Sequence, residues 1–114
     1  MKLASEEKRQ FPRIKFKVPV RYQIRGKSDY DNSLTDNISL GGLSFTNDRF
    51  ISPSTNLTLE LRILAQLFTP LAKVSWISPL AHSNRYRLGV EFLDVPLQKK
   101  EYLSDFINMQ LSIH

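Results

Sequence analysis

The sequence predicts an all-β domain with a C-terminal helix, in which six antiparallel strands form a small barrel. Two patterns indicate this. Between residues 14 and 92, apolar and polar residues alternate with a period of two in short runs separated by turn residues, as in antiparallel strands. After residue 95 the period becomes that of an amphipathic helix. Closure into a barrel is expected because it removes exposed strand edges.

The first predicted strand begins at Ile14 and has one apolar and one cationic face. Its further apolar positions are Phe16, Val18, Val20, Tyr22 and Ile24. Its basic positions are Lys15, Lys17, Arg21 and Arg25, and we interpret them as a solvated outer face. Pro19 donates no backbone hydrogen bond, which favours an edge position or a bulge.

Five more strands and the helix follow. The strands are expected at residues 30–38, 40–45, 57–63, 67–77 and 86–92. Trp76 alternates in phase with Val74, so we expect it to fill the barrel interior rather than to stack on a ligand. Pro96 suits the start of a helix, where its missing N–H costs nothing. The apolar face of that helix is Tyr102, Leu103, Phe106, Ile107 and Ile113.

Positive charge is concentrated near the N-terminus. The 114 residues carry a formal net charge of +5. Residues 1–28 hold nine basic and two acidic residues, a net charge of +7, and the remainder carries −2. The length fits a single domain. We predict a flexible basic arm over residues 1–13 and a barrel with its helix over residues 14–114.

Composition excludes several classes of protein. Without cysteine there is no disulfide scaffold, thiolate zinc site or cysteine nucleophile. His82 and His114 have no partner at metal-ligand spacing, and Asp29, Asp31 and Asp36 are interpreted as turn and solvated strand residues. We therefore expect neither an enzyme nor a metal or cofactor. No apolar run of membrane-spanning length and no signal peptide is present, which favours a cytoplasmic protein.

Two arginines four residues apart, Arg9 and Arg13, lie in the basic arm. A guanidinium binds a phosphate or the O6/N7 edge of guanine with two parallel hydrogen bonds, and its plane stacks on bases. An arm that becomes ordered around its ligand can wrap it. The pair suits an anion or nucleotide site, although a solvated charge run has the same composition.

A second informative segment joins the second and third predicted strands. Asn37 offers both a donor and an acceptor, and Ser39 offers a hydroxyl. Gly41 and Gly42 permit positive φ and a close approach of backbone to a ligand. A plain turn or bulge is the alternative interpretation of this segment.

Together the two segments resemble the signature of the PilZ domain family, which is RxxxR followed by [D/N]xSxxG. Arg9 and Arg13 match the first element, and Asn37, Ser39 and Gly42 match the second without a gap. The likeness continues in the segments 18–20, 42–45, 74–76 and 89–92. It covers about residues 8–110, so it includes nearly the whole chain.

This resemblance implies a non-catalytic bacterial receptor for the second messenger cyclic di-GMP, in signalling that governs motility or biofilm formation. Arg9 and Arg13 would bind phosphates and guanine edges, and Asn37 would bind a guanine. Ser39 would contact the ligand or brace the loop, and Gly42 would let the backbone pass close.

Lys8 precedes the first motif arginine and would add a phosphate contact. In related domains the residue at this position bears on whether one ligand molecule or a stacked pair binds, and a basic residue favours the pair. As a single domain, the chain would pass its signal to a protein partner or act through self-association.

Two other functions are consistent with the sequence. A PilZ-fold interaction module acting in pilus assembly or motility would keep the barrel without binding the nucleotide. A nucleic-acid-binding barrel is suggested by the pI of about 9.7 and by the cationic face of the first strand. Its aromatic residues, however, fall in phase with the apolar positions, whereas barrels that bind single strands expose stacking aromatics. We therefore expect no nucleic-acid partner.

Overall fold

The computed structural model describes residues 13–113, which form seven β-strands and one α-helix. The strands are β1 (Pro19–Ile24), β2 (Asp31–Ile38), β3 (Gly42–Asn47), β4 (Asn56–Ile63), β5 (Gln66–Phe68), β6 (Leu71–Pro79) and β7 (Tyr86–Asp94), and the helix is α1 (Leu97–Ile113). Lys8, Arg9 and the rest of the predicted arm up to residue 12, together with His114, lie outside the described residues.

Six of the strands form a closed ring. Their order is β1-β2-β3-β7-β6-β4, and β4 pairs with β1 to close it. Every pairing is antiparallel. The predicted six-stranded barrel with a C-terminal helix is confirmed. The three-residue β5 adds only to β4, outside the ring.

One predicted strand is divided in two. The expected fifth strand over residues 67–77 is wrong in its bounds, because β5 ends at Phe68 and β6 begins at Leu71. Pro70 lies between them and has no N–H to give to a ladder. Its carbonyl instead accepts a hydrogen bond of 3.1 Å from the Leu59 N–H. The first half therefore forms a hairpin with the end of β4, and the second half enters the ring.

The barrel interior is filled by alternate residues of each strand in the ring. Representative fully buried side chains are Val20, Ile38, Phe45, Leu59, Val74 and Leu88. Their alternation with exposed residues matches the period of two in the sequence. Because this interior is packed with side chains, a ligand has to bind on the outer surface or at an end.

Residues 14–18, which precede β1, are held against β2 by separate hydrogen bonds and do not form a regular ladder with it. Ile14 forms an isolated antiparallel bridge with Ile38, with both backbone hydrogen bonds at 3.0 Å. The buried hydroxyl of Thr35 accepts a hydrogen bond from the Val18 N–H at 2.9 Å and donates to the Phe16 carbonyl at 2.6 Å. Residues 14–18 therefore keep the predicted alternation of burial without being part of β1.

The cationic face of this region is exposed, as expected. Arg21 pairs with Glu60 at 3.1 Å and lies over the Tyr30 ring, with 4.2 Å between the guanidinium carbon and the ring centroid. Lys17 lies 3.7 Å from Asp36. Exposed ion pairs of this kind contribute about 0–1 kcal/mol each to stability. These two ion pairs place carboxylates of the barrel beside Arg21 and Lys17.

Helix α1 packs on the barrel through residues 102–107 of its predicted apolar face. Leu103, Phe106 and Ile107 are buried, and the Phe106 ring meets Phe16 edge to face at 5.0 Å. The first helical hydrogen bond is accepted by the carbonyl of Pro96, which therefore stands just before the helix. Within residues 13–113, no helix is long and apolar enough to cross a membrane.

Tyr22 provides a test of the core through its ionisation. Its ring is 2% exposed and packs against Phe45. Burial, followed by the neighbouring Asp31 carboxylate, raises the pKa of the Tyr22 hydroxyl from 10.0 to about 12. The folded protein holds this proton more tightly than the unfolded chain does. The contribution of Tyr22 to the free energy of unfolding is therefore constant below pH 10 and falls as the pH rises towards 12, by about 2–3 kcal/mol in total.

The variant Tyr22→Phe removes this titration while keeping the ring. Urea unfolding of both proteins below pH 10 and near pH 12 should give a stability difference that shifts by about 2–3 kcal/mol in favour of the variant at the higher pH. Other titrating groups are common to both proteins and cancel. Parallel pH profiles would contradict the assignment.

Candidate functional site

A cavity of about 440 Å³ lies on the outer face of the barrel, over β2, β3, β7 and β6. This volume is within the range of small-molecule sites in proteins. The described residues that line it are Arg13, Asn37, Ser39, Gly41, Gly42, Leu43, Ser44, Ser54, Lys73, Val74, Ser75, Trp76, Gly89, Val90 and Glu91.

The cavity floor follows from the strand register. Asn37 on β2 is directly opposite Ser44 on β3, Ser44 is opposite Gly89 on β7, and Gly89 is opposite Trp76 on β6. The four residues form one row across the outer face. The two in the centre have small side chains, while an amide and an indole stand at the ends. The largest side chain of the row, the indole, thus comes from its β6 end.

A second row lies beside the first. Gly42 on β3 is opposite Glu91 on β7, and Glu91 is opposite Lys73 on β6. Adjacent rows on one face are two residues apart, or about 7 Å along a strand. Among the described residues that line the cavity, Arg13 and Lys73 are basic and Glu91 is acidic. The floor thus carries opposite charges at defined positions.

Arg13 lies at the cavity because the backbone of the next residue, Ile14, is hydrogen-bonded to β2. The bridge between Ile14 and Ile38 places Arg13 beside the segment that joins β2 to β3. The structure therefore brings together the four described residues of the two sequence motifs, Arg13, Asn37, Ser39 and Gly42. Lys8 and Arg9 lie outside the described residues, so their place at the site stays a prediction.

The hydroxyl of Ser39 braces the turn. Its oxygen accepts a hydrogen bond from the Gly41 N–H at 3.1 Å and donates to the Gly42 carbonyl at 3.3 Å. The Ser39 N–H also donates to the Gly42 carbonyl at 2.8 Å. Of the two roles expected for Ser39, the geometry supports loop bracing. Serine forms such local turns because its short side chain reaches nearby backbone groups.

Glycine is required at position 42 by the neighbouring strand. Gly42 does not have a positive φ. A Cβ placed on it would lie 2.0 Å from the carbonyl oxygen of Val90 on β7, which is far inside van der Waals contact. The absence of a side chain at Gly42 thus allows close packing of β3 on β7.

Trp76 does not fill the barrel interior, so that prediction is wrong. Trp76 belongs neither to the buried core nor to the residues packed against it. Its partly buried indole lies over Gly89, where an added Cβ would be 2.1 Å from Nε1. Glycine at position 89 therefore makes room for the ring on the cavity wall.

A bulge in β6 explains the change of face. Val74 pairs with Val90 and Trp76 pairs with Gly89, so two steps along β6 correspond to one along β7. The extra residue, Ser75, shifts the alternation. Val74 points into the core, and Trp76 points outward. A strict period of two from the sequence places both residues on one face, which is why the sequence misassigns the indole.

Ser44 is a polar side chain that the sequence did not single out. It is 2% exposed, and its hydroxyl has no hydrogen-bond partner among residues 13–113. An unpaired buried hydroxyl is uncommon and costs about 1–3 kcal/mol. Its place between Asn37 and Gly89 puts this unused donor and acceptor in the floor of the cavity.

The loop between β3 and β4 supplies the remaining wall. Ser54 has a φ of 74°, in the left-handed region, and its N–H donates to the Val74 carbonyl at 2.7 Å. Non-glycine residues in this region are strained and are often found at binding sites. The sequence carries no sign of Ser54, because the loop approaches β6 only in the folded chain.

The other groups considered in the sequence lie elsewhere. His82 is exposed in a turn. Asp36 contacts Arg87 at 3.3 Å, and Asp31 contacts Arg49. No cluster of three or more potential metal ligands occurs within residues 13–113. These positions agree with the turn and solvated-strand roles predicted for them.

The family model of the PilZ domain matches residues 7–109, and the chain belongs to the PilZ domain family. No curated protein sequence matches the chain.

Several solved structures share the fold. The Bacillus subtilis inhibitor of motility, MotI/DgrA, gives a TM-score of 0.78 at 19% identity, covering 90% of this chain and 51% of that chain. The PilZ domain of YcgR from Escherichia coli, solved with c-di-GMP, gives 0.69 at 17% identity, covering 88% of both chains. The K. pneumoniae MrkH–c-di-GMP complex gives 0.70 at 15% identity, covering 90% of this chain and 51% of that chain. This chain thus spans about half of the MotI/DgrA and MrkH chains.

Substitution by alanine should affect stability differently at Gly42 and at Gly89. In Gly42→Ala the new methyl group meets backbone, which cannot move without disturbing the β3–β7 ladder. We expect a loss of about 1–3 kcal/mol in unfolding free energy. In Gly89→Ala the methyl meets the indole of Trp76, which can rotate away. This variant should lose less stability and instead change the fluorescence of Trp76, the single tryptophan of the chain.

Urea unfolding and emission spectra of both variants measure the two effects. Equal losses of stability, or an unchanged spectrum in Gly89→Ala, would contradict the contacts assigned to the two glycines.

Proposed function

We propose that the chain is a non-catalytic receptor for cyclic di-GMP, which binds between the N-terminal arginines and the outer face of the barrel. The observation that carries the proposal is that Arg13 and the segment from Asn37 to Gly42 line one cavity. Membership of the PilZ family supports it. So do the c-di-GMP-bound structures of YcgR and MrkH, which have the same fold.

The phosphates of the ligand suit the basic residues of the site. Cyclic di-GMP carries two negative charges on its phosphodiesters. Arg13 and Lys73 both line the cavity, and charge-assisted hydrogen bonds from such groups are about twice as strong as neutral ones. We assign the phosphates to Arg13 and Lys73, joined by Arg9 and Lys8 from the N-terminal segment.

The guanine bases suit the first row of the floor. The indole of Trp76 lies over Gly89 on the cavity wall, so it offers an aromatic surface on which a base can stack. Asn37 stands at the other end of the row with both a donor and an acceptor. In this assignment Ser39 holds the turn, and Gly42 allows β3 to pack closely on β7.

The signal has to reach a receiver after binding. We propose that ordering of the N-terminal segment against the barrel changes the surface that a protein partner, or a second copy of the chain, recognises. Affinity capture with and without cyclic di-GMP tests this step. A partner retained equally in both conditions would favour a PilZ-fold interaction module instead.

Substituting the arginines tests the binding step. Loss of one charge-assisted contact costs about 1.5–3 kcal/mol, so Arg13→Ala should weaken cyclic di-GMP binding by about tenfold or more. Arg9→Ala should behave alike. Isothermal titration of the wild type and of both variants measures this.

Arg25→Ala is a matched control for charge. Arg25 is exposed in the turn that follows β1 and does not line the cavity, so its loss should leave the affinity nearly unchanged. Equal weakening in all three variants would indicate a diffuse attraction to polyanions. No saturation of the wild type at tens of micromolar ligand would overturn the proposal.

Trp76 gives a second, optical test. Stacking of a base on its indole should quench or shift the emission of this single tryptophan with the same dissociation constant that titration calorimetry gives. In Trp76→Ala the signal disappears, and the affinity falls by about fivefold or more, since base stacking is worth about 1–3 kcal/mol. Calorimetric binding without any change in emission would place the bases away from Trp76.

A further inference from the structure

Glu91 stands out in a cavity proposed to hold a dianion. It alone is acidic among the described residues that line the cavity. It lies on β7 between Gly42 and Lys73, one row from Gly89. Gly42 packs closely against the backbone of Val90 and Glu91, so it places no side chain beside the Glu91 carboxylate. A carboxylate here repels phosphates, so a part of the ligand that contacts it has to donate hydrogen bonds.

Guanine has such a part. Its ring N1–H and its 2-amino group are adjacent donors on one edge of the base. An ionised carboxylate only accepts hydrogen bonds and has two oxygens to receive them. The carboxamide of Asn37 presents one acceptor and one donor, so it cannot accept both hydrogen bonds through two oxygens. Glu91 is thus the lining residue whose chemistry matches this edge.

We propose that Glu91 is a specificity-determining residue that accepts hydrogen bonds from the N1–H and 2-amino group of a guanine lying beside Trp76. The inference rests on the proposed function and deepens it by naming the group that separates guanine from adenine. Adenine has a lone pair at ring N1, which a carboxylate repels. A cyclic dinucleotide with the same sugars and phosphates but adenine bases is therefore rejected.

A positioning role for Glu91 makes a different prediction. If the carboxylate only orients Lys73 or another basic group towards the phosphates, its loss weakens the binding of every cyclic dinucleotide equally. The reason is that the phosphates are common to all of them. The base of the ligand is consequently the variable that distinguishes the two roles.

The test is a thermodynamic cycle between one side chain and one ligand group. Wild type and Glu91→Ala are titrated with cyclic di-GMP and with cyclic di-IMP, whose bases lack only the 2-amino group. We expect cyclic di-IMP to bind the wild type about tenfold or more weakly than cyclic di-GMP does, and this difference to fall below about twofold in Glu91→Ala. Glu101→Ala, on the exposed side of α1, is the control and should keep the full difference.

Each outcome decides between the proposals. Wild type that binds neither ligand overturns the proposed function, and this inference with it. Wild type that binds cyclic di-GMP, with the same preference for it retained in Glu91→Ala, overturns the role of Glu91 alone. Tighter binding of both ligands by the variant also overturns it, since Glu91 would then act only as a repelling charge. Thermal unfolding of both variants confirms that each one is folded.

Discussion

The ladder between β1 and β4 is the interaction on which the rest of the structure depends. It joins the two ends of a six-stranded sheet, so that no long edge is left exposed. Closure also separates two faces. The inner face is filled by apolar side chains, and whatever the domain binds has to be held on the outer face. Both sequence motifs lead to that outer face, one through Arg13 and the other through Asn37.

Two glycines without side chains and one bulge determine the shape of the site. Gly42 allows β3 to approach β7, and Gly89 allows the indole of Trp76 to lie over β7. The bulge at Ser75 turns that indole outward. These are packing constraints within the barrel, yet together they leave a hollow lined by polar and aromatic groups. The stability of the barrel and the form of its cavity thus have common causes.

Much of the fold was predictable because strands with one buried face leave a period of two in the sequence. The alternation around Val20 and Leu59 gave the strands and their inward faces. The helix was predictable from its change of period. The division at Pro70 was missed, because the apolar residues on both sides of it continue the alternation. Only pairing shows that the two halves have different neighbours.

The sequence by itself determined the architecture, the family signature and the candidate residues Arg13, Asn37, Ser39 and Gly42, since each of these depends on residue type and spacing along the chain. The tertiary structure decided which strands are adjacent and in what register. It brought Glu91 and Trp76 into the same cavity as motif residues 34 or more positions earlier in the chain. The physical reason is that an outward position becomes part of a site only through its cross-strand neighbours, and a single bulge can reverse which way it points.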